Sequence, residues 1–232
     1  MAGRMEMGMS DQAIQLMHGD CLEIMPLIST ESVDLLLTDP PYGIGLRANY
    51  AECKRGALAL CHNFPPIIGD DKPFDPAHLL RFRRAVLFGA NHYADKLPAS
   101  AAWIIWDKLD GLESKRKWGF NDNSDCEMAW TNIGNATRLI PHRWMGMIKA
   151  SEQQSNRVHP TQKPIALMAE IIRHYTADGE TVFDPYMGSG TTAIACLITG
   201  RRFIGIERDD TYFNVACQRV KDEQRQGRLF TL

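Results

Sequence analysis

The stretch Thr181-Val-Phe-Asp-Pro-Tyr-Met-Gly-Ser-Gly-Thr-Thr192 decides the fold, because a short apolar strand runs into a glycine turn and then a helix. Gly188 and Gly190 lie in the turn, where the missing Cβ lets a ligand approach the backbone. Glu207 ends the next apolar segment about 20 residues further on, where an acidic side chain can bind both ribose hydroxyls. The pattern predicts a nucleoside site, and its Gly-x-Gly spacing suits a phosphate-free adenosyl ligand as well as NAD.

Outward from this stretch, strands and helices alternate. Strands are predicted at residues 13–17, 33–38, 85–89, 102–106, 126–131 and 203–207, and helices begin near residues 20, 76, 164, 191 and 209. Such alternation predicts an α/β fold with a mainly parallel, twisted sheet flanked by helices. We expect a flexible tail over residues 1–12 and a single domain over residues 13–232. Residues 132–157 have weak patterning and are predicted to be mostly loop.

A second motif, Asp39-Pro-Pro-Tyr42, follows the apolar run Val33–Thr38 directly. In an open parallel sheet the carboxyl ends of the strands face the ligand crevice, so this motif and the glycine turn should share one cleft. Two prolines remove two N–H donors and leave carbonyl acceptors, while Asp39 adds a carboxylate and Tyr42 a planar ring. That set suits an exocyclic amino group on a flat base. A plain strand-end turn with a capping Asp is the alternative for an isolated Asp-Pro-Pro.

Three motifs in order carry a family resemblance: Thr38-Asp-Pro-Pro-Tyr42, His159-Pro-Thr-Gln-Lys-Pro164 and Phe183-Asp-Pro-Tyr-Met-Gly-Ser-Gly-Thr-Thr192. The chain resembles the S-adenosylmethionine (SAM) dependent amino-DNA methyltransferases of the β motif order, from about residue 14 to residue 220. This resemblance implies a Rossmann-like, circularly permuted fold in which the catalytic half precedes the cofactor half. One departure is Tyr186, where the family commonly carries Phe.

The resemblance implies a role for each motif residue. Asp39, Pro40, Pro41 and Tyr42 would be catalytic: Asp39 and the Pro40 carbonyl would hold the target amine and Tyr42 would stack on the base. The Lys163 side chain would face the carboxylate of SAM. The full set of implied cofactor-binding residues is Asp20, Cys21, Thr161, Lys163, Asp184, Gly188, Ser189, Gly190, Thr191 and Glu207.

The implied reaction is methyl transfer from SAM to the N6 amine of adenine in DNA, because the adenine enzymes of the family usually carry Asp at the position of Asp39. A base inside a duplex must be flipped out to reach the cofactor, at a cost of a few kcal/mol. Cytosine-N4 methylation, where Ser more often replaces the Asp, is the near alternative. Related enzymes acting on RNA or protein glutamine commonly carry Asn there. A non-catalytic DNA-binding relative that keeps the fold is the alternative from another class.

The charge distribution is uneven along the 232 residues. Between residues 43 and 163 there are 17 Lys and Arg against 12 Asp and Glu, whereas the whole chain has 26 against 28. A basic middle segment suggests a surface that binds a polyanion such as DNA. The DNA-contacting loops are therefore predicted at about 43–75 and 108–157. Their candidate phosphate-binding residues are Arg47, Lys54, Arg55, Lys115, Arg116, Lys117 and Arg143.

The remaining features exclude several classes of protein. No run approaches the roughly 18 apolar residues of a membrane span, and the opening residues lack an apolar signal segment, so we expect a cytoplasmic protein with no membrane partner. The six cysteines show no Cys-x-x-Cys pair, and we expect neither disulfides nor a metal site. The resemblance allows a homodimer. It leaves the recognition sequence and any restriction partner open.

Overall fold

A large sheet organises the molecule. The computed structural model describes residues 6–11, 13–45, 67–110, 124–145, 148–152 and 162–229. In chain order its strands are β1 (Glu6–Asp11), β2 (Ile14–His18), β3 (Leu35–Thr38), β4 (Ala85–Phe88), β5 (Trp103–Asp107), β6 (Cys126–Thr131), β7 (Arg138–Pro141), β8 (Trp144–Met145), β9 (Ile148–Lys149), β10 (Thr181–Asp184) and β11 (Arg202–Glu207). The α-helices are α1 (Cys21–Ile24), α2 (Ile165–Tyr175), α3 (Thr191–Thr199) and α4 (Asp210–Leu229).

The strand order of the main sheet is β1-β2-β11-β10-β3-β4-β6-β5-β7. Strands β2, β11, β10, β3 and β4 are parallel neighbours, while β6 runs antiparallel to both β4 and β5. The predicted α/β fold with a mainly parallel sheet is confirmed. Because β6 is reversed, its first residues lie at the same edge as the carboxyl ends of β3 and β4. Phe88 pairs with Ala129, so Glu127 lies beyond the end of β4 at that edge.

Both faces of the central strands are covered, as the continuous apolar runs predict. Residues Leu35, Leu36 and Leu37 are fully buried. Leu35 and Leu37 belong to the hydrophobic cluster that includes residues of α2 and α3, and Leu36 belongs to the opposite cluster around Phe82. Side chains that alternate between two apolar layers hold β3 firmly in register. The motif that follows β3 is thus anchored by its strand.

Three segments differ from the sequence-based prediction. Residues Glu6–Asp11, predicted as flexible tail, form β1, which pairs antiparallel with β2 and so covers a sheet edge that would otherwise leave backbone groups unpaired. Within 132–157, predicted as mostly loop, strand β7 joins the sheet beside β5, and β8 and β9 form a separate two-stranded ladder. The helix predicted from residue 76 is a series of turns, with i to i−3 bonds such as Leu79 N–H to the Pro76 carbonyl.

Other predicted elements are confirmed, among them β6, α2, α3 and β10. Gly200 ends α3 in a left-handed conformation, and the Asp209 carboxylate caps α4 through the N–H groups of Thr211 and Tyr212. Within the described ranges, no helix is long and apolar enough to cross a membrane. The same part of the chain contains no cluster of three or more His, Cys, Asp or Glu side chains that could hold a metal ion.

Candidate active site

A cavity of about 270 Å³ opens at the carboxyl edge of the parallel strands. Its walls come from segments far apart in the chain, which the parallel topology brings together. They include Asp39–Tyr42, the motif predicted to be catalytic, and the glycine turn at 184–189, together with residues 19–22 and 207–209. The two motifs that the sequence predicts to share one cleft therefore line the same cavity.

Asp184 fixes the start of the glycine turn. Its Oδ1 accepts hydrogen bonds from Thr38 Oγ1 at 2.7 Å and from the Tyr186 N–H at 3.1 Å, and its Oδ2 accepts one from Thr192 Oγ1 at 2.7 Å. Burial raises the pKa of Asp184 to about 6, against the opposing effect of these donors. The carboxyl joins the ends of β3 and β10 to the first turn of α3. It acts here as a structural anchor, and it also contributes to the cavity wall.

Glu207, the last residue of β11, contacts the glycine turn. Its Oε2 accepts the Gly188 N–H at 2.9 Å, and its Oε1 accepts the Asp209 N–H at 2.7 Å. Burial raises the pKa of Glu207. A carboxylate has about four lone-pair sites, so two backbone donors leave capacity for hydroxyl groups of a ligand. The side chain borders the cavity and can therefore receive a ribose there.

The other residues of the turn have distinct surroundings. Gly190 has a φ of +81°, and a Cβ on it would lie 2.9 Å from the Cβ of Ala216, so glycine allows α3 to approach α4. The carbonyl and hydroxyl of Ser189 accept hydrogen bonds from Arg219 at 2.6 and 3.0 Å. Ser189 and Thr191 both line the cavity. Arg219 was not predicted as a site residue, and it braces the turn from α4.

Asp20 and Cys21, just after the end of the neighbouring strand β2, also line the cavity. Asp20 caps α1 by accepting the Leu22 N–H at 2.9 Å, and its second oxygen lies 3.4 Å from the Arg208 guanidinium. Burial raises the pKa of the Cys21 thiol to about 11. Cys21 is therefore a neutral thiol, suited to packing against a ligand rather than to nucleophilic attack.

The catalytic motif is held by an ion pair that the sequence prediction did not include. Tyr42 donates a short hydrogen bond to Asp39 Oδ1, and Lys163 Nζ lies 2.6 Å from Asp39 Oδ2. Burial raises the pKa of Asp39, and the Lys163 ammonium opposes that rise. Lys163 was predicted to face the carboxylate of SAM. That contact with SAM stays a prediction. In the structure the Lys163 ammonium, whose side chain is 6% exposed and lines the cavity, is paired with Asp39, as a buried ammonium needs anionic partners nearby.

Two residues outside the predicted motifs complete this part of the site. Glu127 Oε2 lies 3.0 Å from Lys163 Nζ. His92 stacks on Tyr42, with ring centroids 5.1 Å apart and 17° between the planes. Glu127 was not predicted because the sequence does not show that β6 is antiparallel. A parallel β6 would place its first residues at the opposite edge of the sheet, away from the site. His92 follows β4 in a short 3-10 turn that carries no motif.

Several predicted residues lie outside the described ranges, namely Arg47, Lys54, Arg55, Lys115, Arg116, Lys117 and Thr161. Their contacts with DNA or cofactor stay predictions. Arg143 is described, and its guanidinium lies 3.8 Å from Asp110 with about a third of the side chain exposed. Pro40 and Pro41 line the cavity beside Asp39. Trp106, Trp130 and Trp144 are buried, and Trp103 is partly buried against the same core.

Comparison with known proteins shows which proteins this chain resembles. A family model described as DNA methylase matches residues 110–218. Over this segment, which is just under half of the 232 residues, the chain is similar to DNA methylases. YubD of Escherichia coli (strain K12), which is named as a methylase, is 27% identical over 91% of this chain and 92% of its own length. The DNA adenine methyltransferase YhdJ of the same strain is 25% identical over 90% of this chain and 83% of its own length.

Solved structures of other proteins share the architecture. The crystal structure of the M1.HpyAVI–SAM complex superimposes with a TM-score of 0.55 at 26% identity, covering 89% of this chain and 99% of that one. The cytosine-N4-specific PvuII DNA methyltransferase has a TM-score of 0.58 at 16% identity, covering 92% of each chain. At that lower identity the likeness extends to the fold alone.

Proposed function

We propose that this chain transfers a methyl group from SAM to the exocyclic N6 amine of adenine in DNA. One observation carries the proposal: Asp39 and the glycine turn with Glu207 line the same cavity. An acceptor for an amine and a site for a nucleoside are thus within one cleft, as a transfer between two bound molecules requires. The M1.HpyAVI complex with SAM and the adenine methyltransferase YhdJ support this assignment for their relative.

The residues of the cavity fit SAM. Gly188 has a φ of +52° and lies against Glu207, so the turn offers an open backbone beside a carboxylate acceptor. Asp20 and the neutral Cys21 thiol line the same cavity. Glu207 would hold the ribose hydroxyls, and the turn from Asp184 to Gly190 would enclose the amino-acid end. When bound, SAM supplies a methyl group on a sulfonium whose sulfur keeps the bonding electron pair as the amine nitrogen takes the methyl.

The residues of the catalytic motif would hold the target amine. The Asp39 carboxylate and the Pro40 carbonyl accept its two N–H bonds, which draws the nitrogen toward tetrahedral geometry and makes its lone pair available. After the transfer the nitrogen is a cation, and the Asp39 carboxylate stabilises that charge until one proton leaves to solvent. This is catalysis by positioning and electrostatics, with no covalent intermediate on the protein.

Tyr42 has to change partners in this scheme. Its hydroxyl donates a hydrogen bond to Asp39 Oδ1, and Lys163 Nζ donates one to Oδ2. Each Asp39 oxygen thus already accepts one hydrogen bond, and the target amine has to compete with these donors for the same carboxylate. We infer that the flipped base displaces the Tyr42 hydroxyl and stacks on its ring, since stacking of a base on an aromatic side chain contributes about 1–3 kcal/mol. His92 on one face of the ring would keep Tyr42 in place during the exchange.

Adenine is favoured over cytosine by the Asp in the motif, as the family resemblance implies, and by YhdJ being an adenine enzyme. The test is incubation of the purified chain with SAM and mixed-sequence duplex DNA, followed by digestion to nucleosides and mass separation. We expect the digest to contain N6-methyl-2′-deoxyadenosine with the wild type and none with Asp39→Ala. N4-methylcytosine alone would overturn the adenine assignment. Binding of SAM without transfer to any nucleic acid would favour a non-catalytic relative.

A further inference from the structure

Four charged side chains alternate in sign beside the catalytic motif. Lys163 Nζ lies 2.6 Å from Asp39 Oδ2 and 3.0 Å from Glu127 Oε2, and Lys108 Nζ lies 3.2 Å from Glu127 Oε1. The order Asp39, Lys163, Glu127, Lys108 contains two carboxylates and two ammonium groups. Lys163 is 6% exposed and Glu127 is 28% exposed. The Lys163 ammonium is therefore shared between the two carboxylates.

Three parts of the fold bring this row together. Lys163 precedes α2, Lys108 follows β5, and Glu127 is the second residue of β6. Glu127 reaches the site because β6 starts at the edge where β3 and β4 end. The family motifs include Asp39 and Lys163 but not Glu127 or Lys108. The contribution of Glu127 is thus visible only once the direction of β6 is known.

The sharing has a consequence for the reaction. An ammonium with a single partner would place its whole charge on Asp39, and the carboxylate would then be a weaker acceptor for the substrate amine. The amine nitrogen also becomes positive during transfer, and an uncompensated ammonium nearby would oppose that charge. A second carboxylate on the far side of Lys163 draws part of its attraction away. The negative charge of this second carboxylate also offsets the positive charge that Lys163 presents to the cleft.

We propose that Glu127 is a positioning residue for methyl transfer: it holds Lys163 between two carboxylates so that Asp39 remains available to the target amine. This inference rests on the proposed function, because it concerns the same site. Glu127 contacts Lys163 and Lys108 and not the cavity itself, so it acts through Lys163. Its charge rather than its bulk carries the role.

The electrostatics of the row agree with this arrangement. Burial raises the pKa of Asp39, Lys163 lowers it, and the negative charge of Glu127 raises it. Burial lowers the pKa of Lys163, but the two carboxylates outweigh burial and raise it. The titratable groups around Asp39 are Lys163, Glu127, Tyr42, Tyr93 and Asp184, and those around Glu127 are Lys163, Lys108, Asp39 and Tyr42. Removing the charge of Glu127 should lower the pKa of both Asp39 and Lys163.

The test compares Glu127→Gln with Glu170→Gln, an identical change at an exposed position of α2. For Glu127→Gln we expect kcat to fall about tenfold or more, with KM for SAM within a few-fold of wild type. The acid limb of the kcat profile should move to lower pH. Glu127→Asp, which keeps the charge, should recover part of the lost rate. Glu170→Gln should match wild type throughout.

A second readout needs no cofactor. The titration of Lys163, followed by NMR of the lysine side-chain signals in the free protein, should move to lower pH in Glu127→Gln and not in Glu170→Gln. An unchanged kcat and acid limb in a folded Glu127→Gln would overturn the inference while the proposed function stands. If Glu127→Gln melts well below wild type, equal rates and acid limbs in Glu127→Asp and Glu127→Gln would overturn it. A wild type that methylates no DNA would refute the proposed function, and the NMR titration would still decide the coupling.

Discussion

A Cβ atom on Gly89 would lie 1.9 Å from the ring of Tyr42, so the backbone after β4 is in direct contact with the aromatic residue of the catalytic motif. Gly89 has a φ of +66°, a left-handed conformation that glycine adopts without strain. Three residues further on, His92 stacks on the same ring. The end of β4 therefore fixes the place of Tyr42 at the end of β3.

The first prediction concerns this contact. In Gly89→Ala the new methyl group must push the Tyr42 ring away, and we expect the methyl-transfer rate to fall about tenfold or more with SAM affinity little changed. Gly179→Ala is the matched control, because Gly179 also has a positive φ of +77° but nothing lies within 4 Å of its Cβ position. Single-turnover transfer and thermal melting of both variants measure the effect. A similar loss of rate in both variants would assign it to backbone strain alone.

The second prediction separates the two halves of the cleft. Asp39→Asn should abolish transfer and leave the Kd for SAM within a few-fold. Glu207→Gln should weaken SAM first, by about ten- to a hundredfold, because a hydrogen bond to a charged acceptor contributes roughly 1.5–3 kcal/mol. The Glu207→Gln substitution also replaces one of the two carboxylate oxygens, which accept the Gly188 and Asp209 N–H groups, with an NH₂ group that cannot accept. Calorimetric titration with SAM is the measurement. Equal losses of affinity in the two variants would contradict the division of roles.

The third prediction is a dependence of stability on pH. The pKa of Asp184 is about 6 in the folded chain against an ordinary value of 3.8, so the folded state binds this proton more tightly than the unfolded state does. The contribution of the group to stability is therefore present below about pH 4 and is lost as the pH rises through 6. Asp184→Asn has no such titration and should gain stability relative to wild type between these values. Urea unfolding at several pH values tests this, with the exposed Asp95→Asn as control. Parallel profiles for wild type and Asp184→Asn would contradict it.

The fourth prediction uses the departure from the family pattern at Tyr186. Its hydroxyl is hydrogen-bonded to His78 Nε2 at 2.8 Å, and its ring meets Phe74 edge to face. Tyr186→Phe removes the hydrogen bond and keeps the ring, so we expect the free energy of unfolding to fall by about 1 kcal/mol. Transfer activity should remain within a few-fold of wild type. A large loss of SAM affinity would instead mean that the hydroxyl contacts the cofactor.

The sequence predicts the parallel centre of the fold and the cleft well, because those features have local signals. An apolar run such as Val33–Thr38 reads as a strand covered on both faces, and the glycine turn fixes a strand–helix junction. The structure brings Asp39, Asp184 and Glu207 to one cavity, as the position of each at the end of a predicted strand implied.

The rest depends on tertiary pairing that has no local signal. β1 and β7 are edge strands whose register is set by their neighbours. Leu139 of β7 is exposed, so the sequence of this strand resembles that of a loop. The partner of Lys163 could not be predicted either, since the motif gives the lysine but not the carboxylates that the fold places around it. The antiparallel direction of β6 determines that Glu127 is one of them.

The central claim is that the Asp39 site methylates adenine N6 in DNA. Base-resolution mapping of methylated bases in DNA from cells that express the wild type or Asp39→Ala tests it most directly. We expect N6-methyladenine at a recurrent site of a few base pairs with the wild type, and no such signal with Asp39→Ala. Methylation that persists in Asp39→Ala, or that falls on cytosine N4, would contradict it.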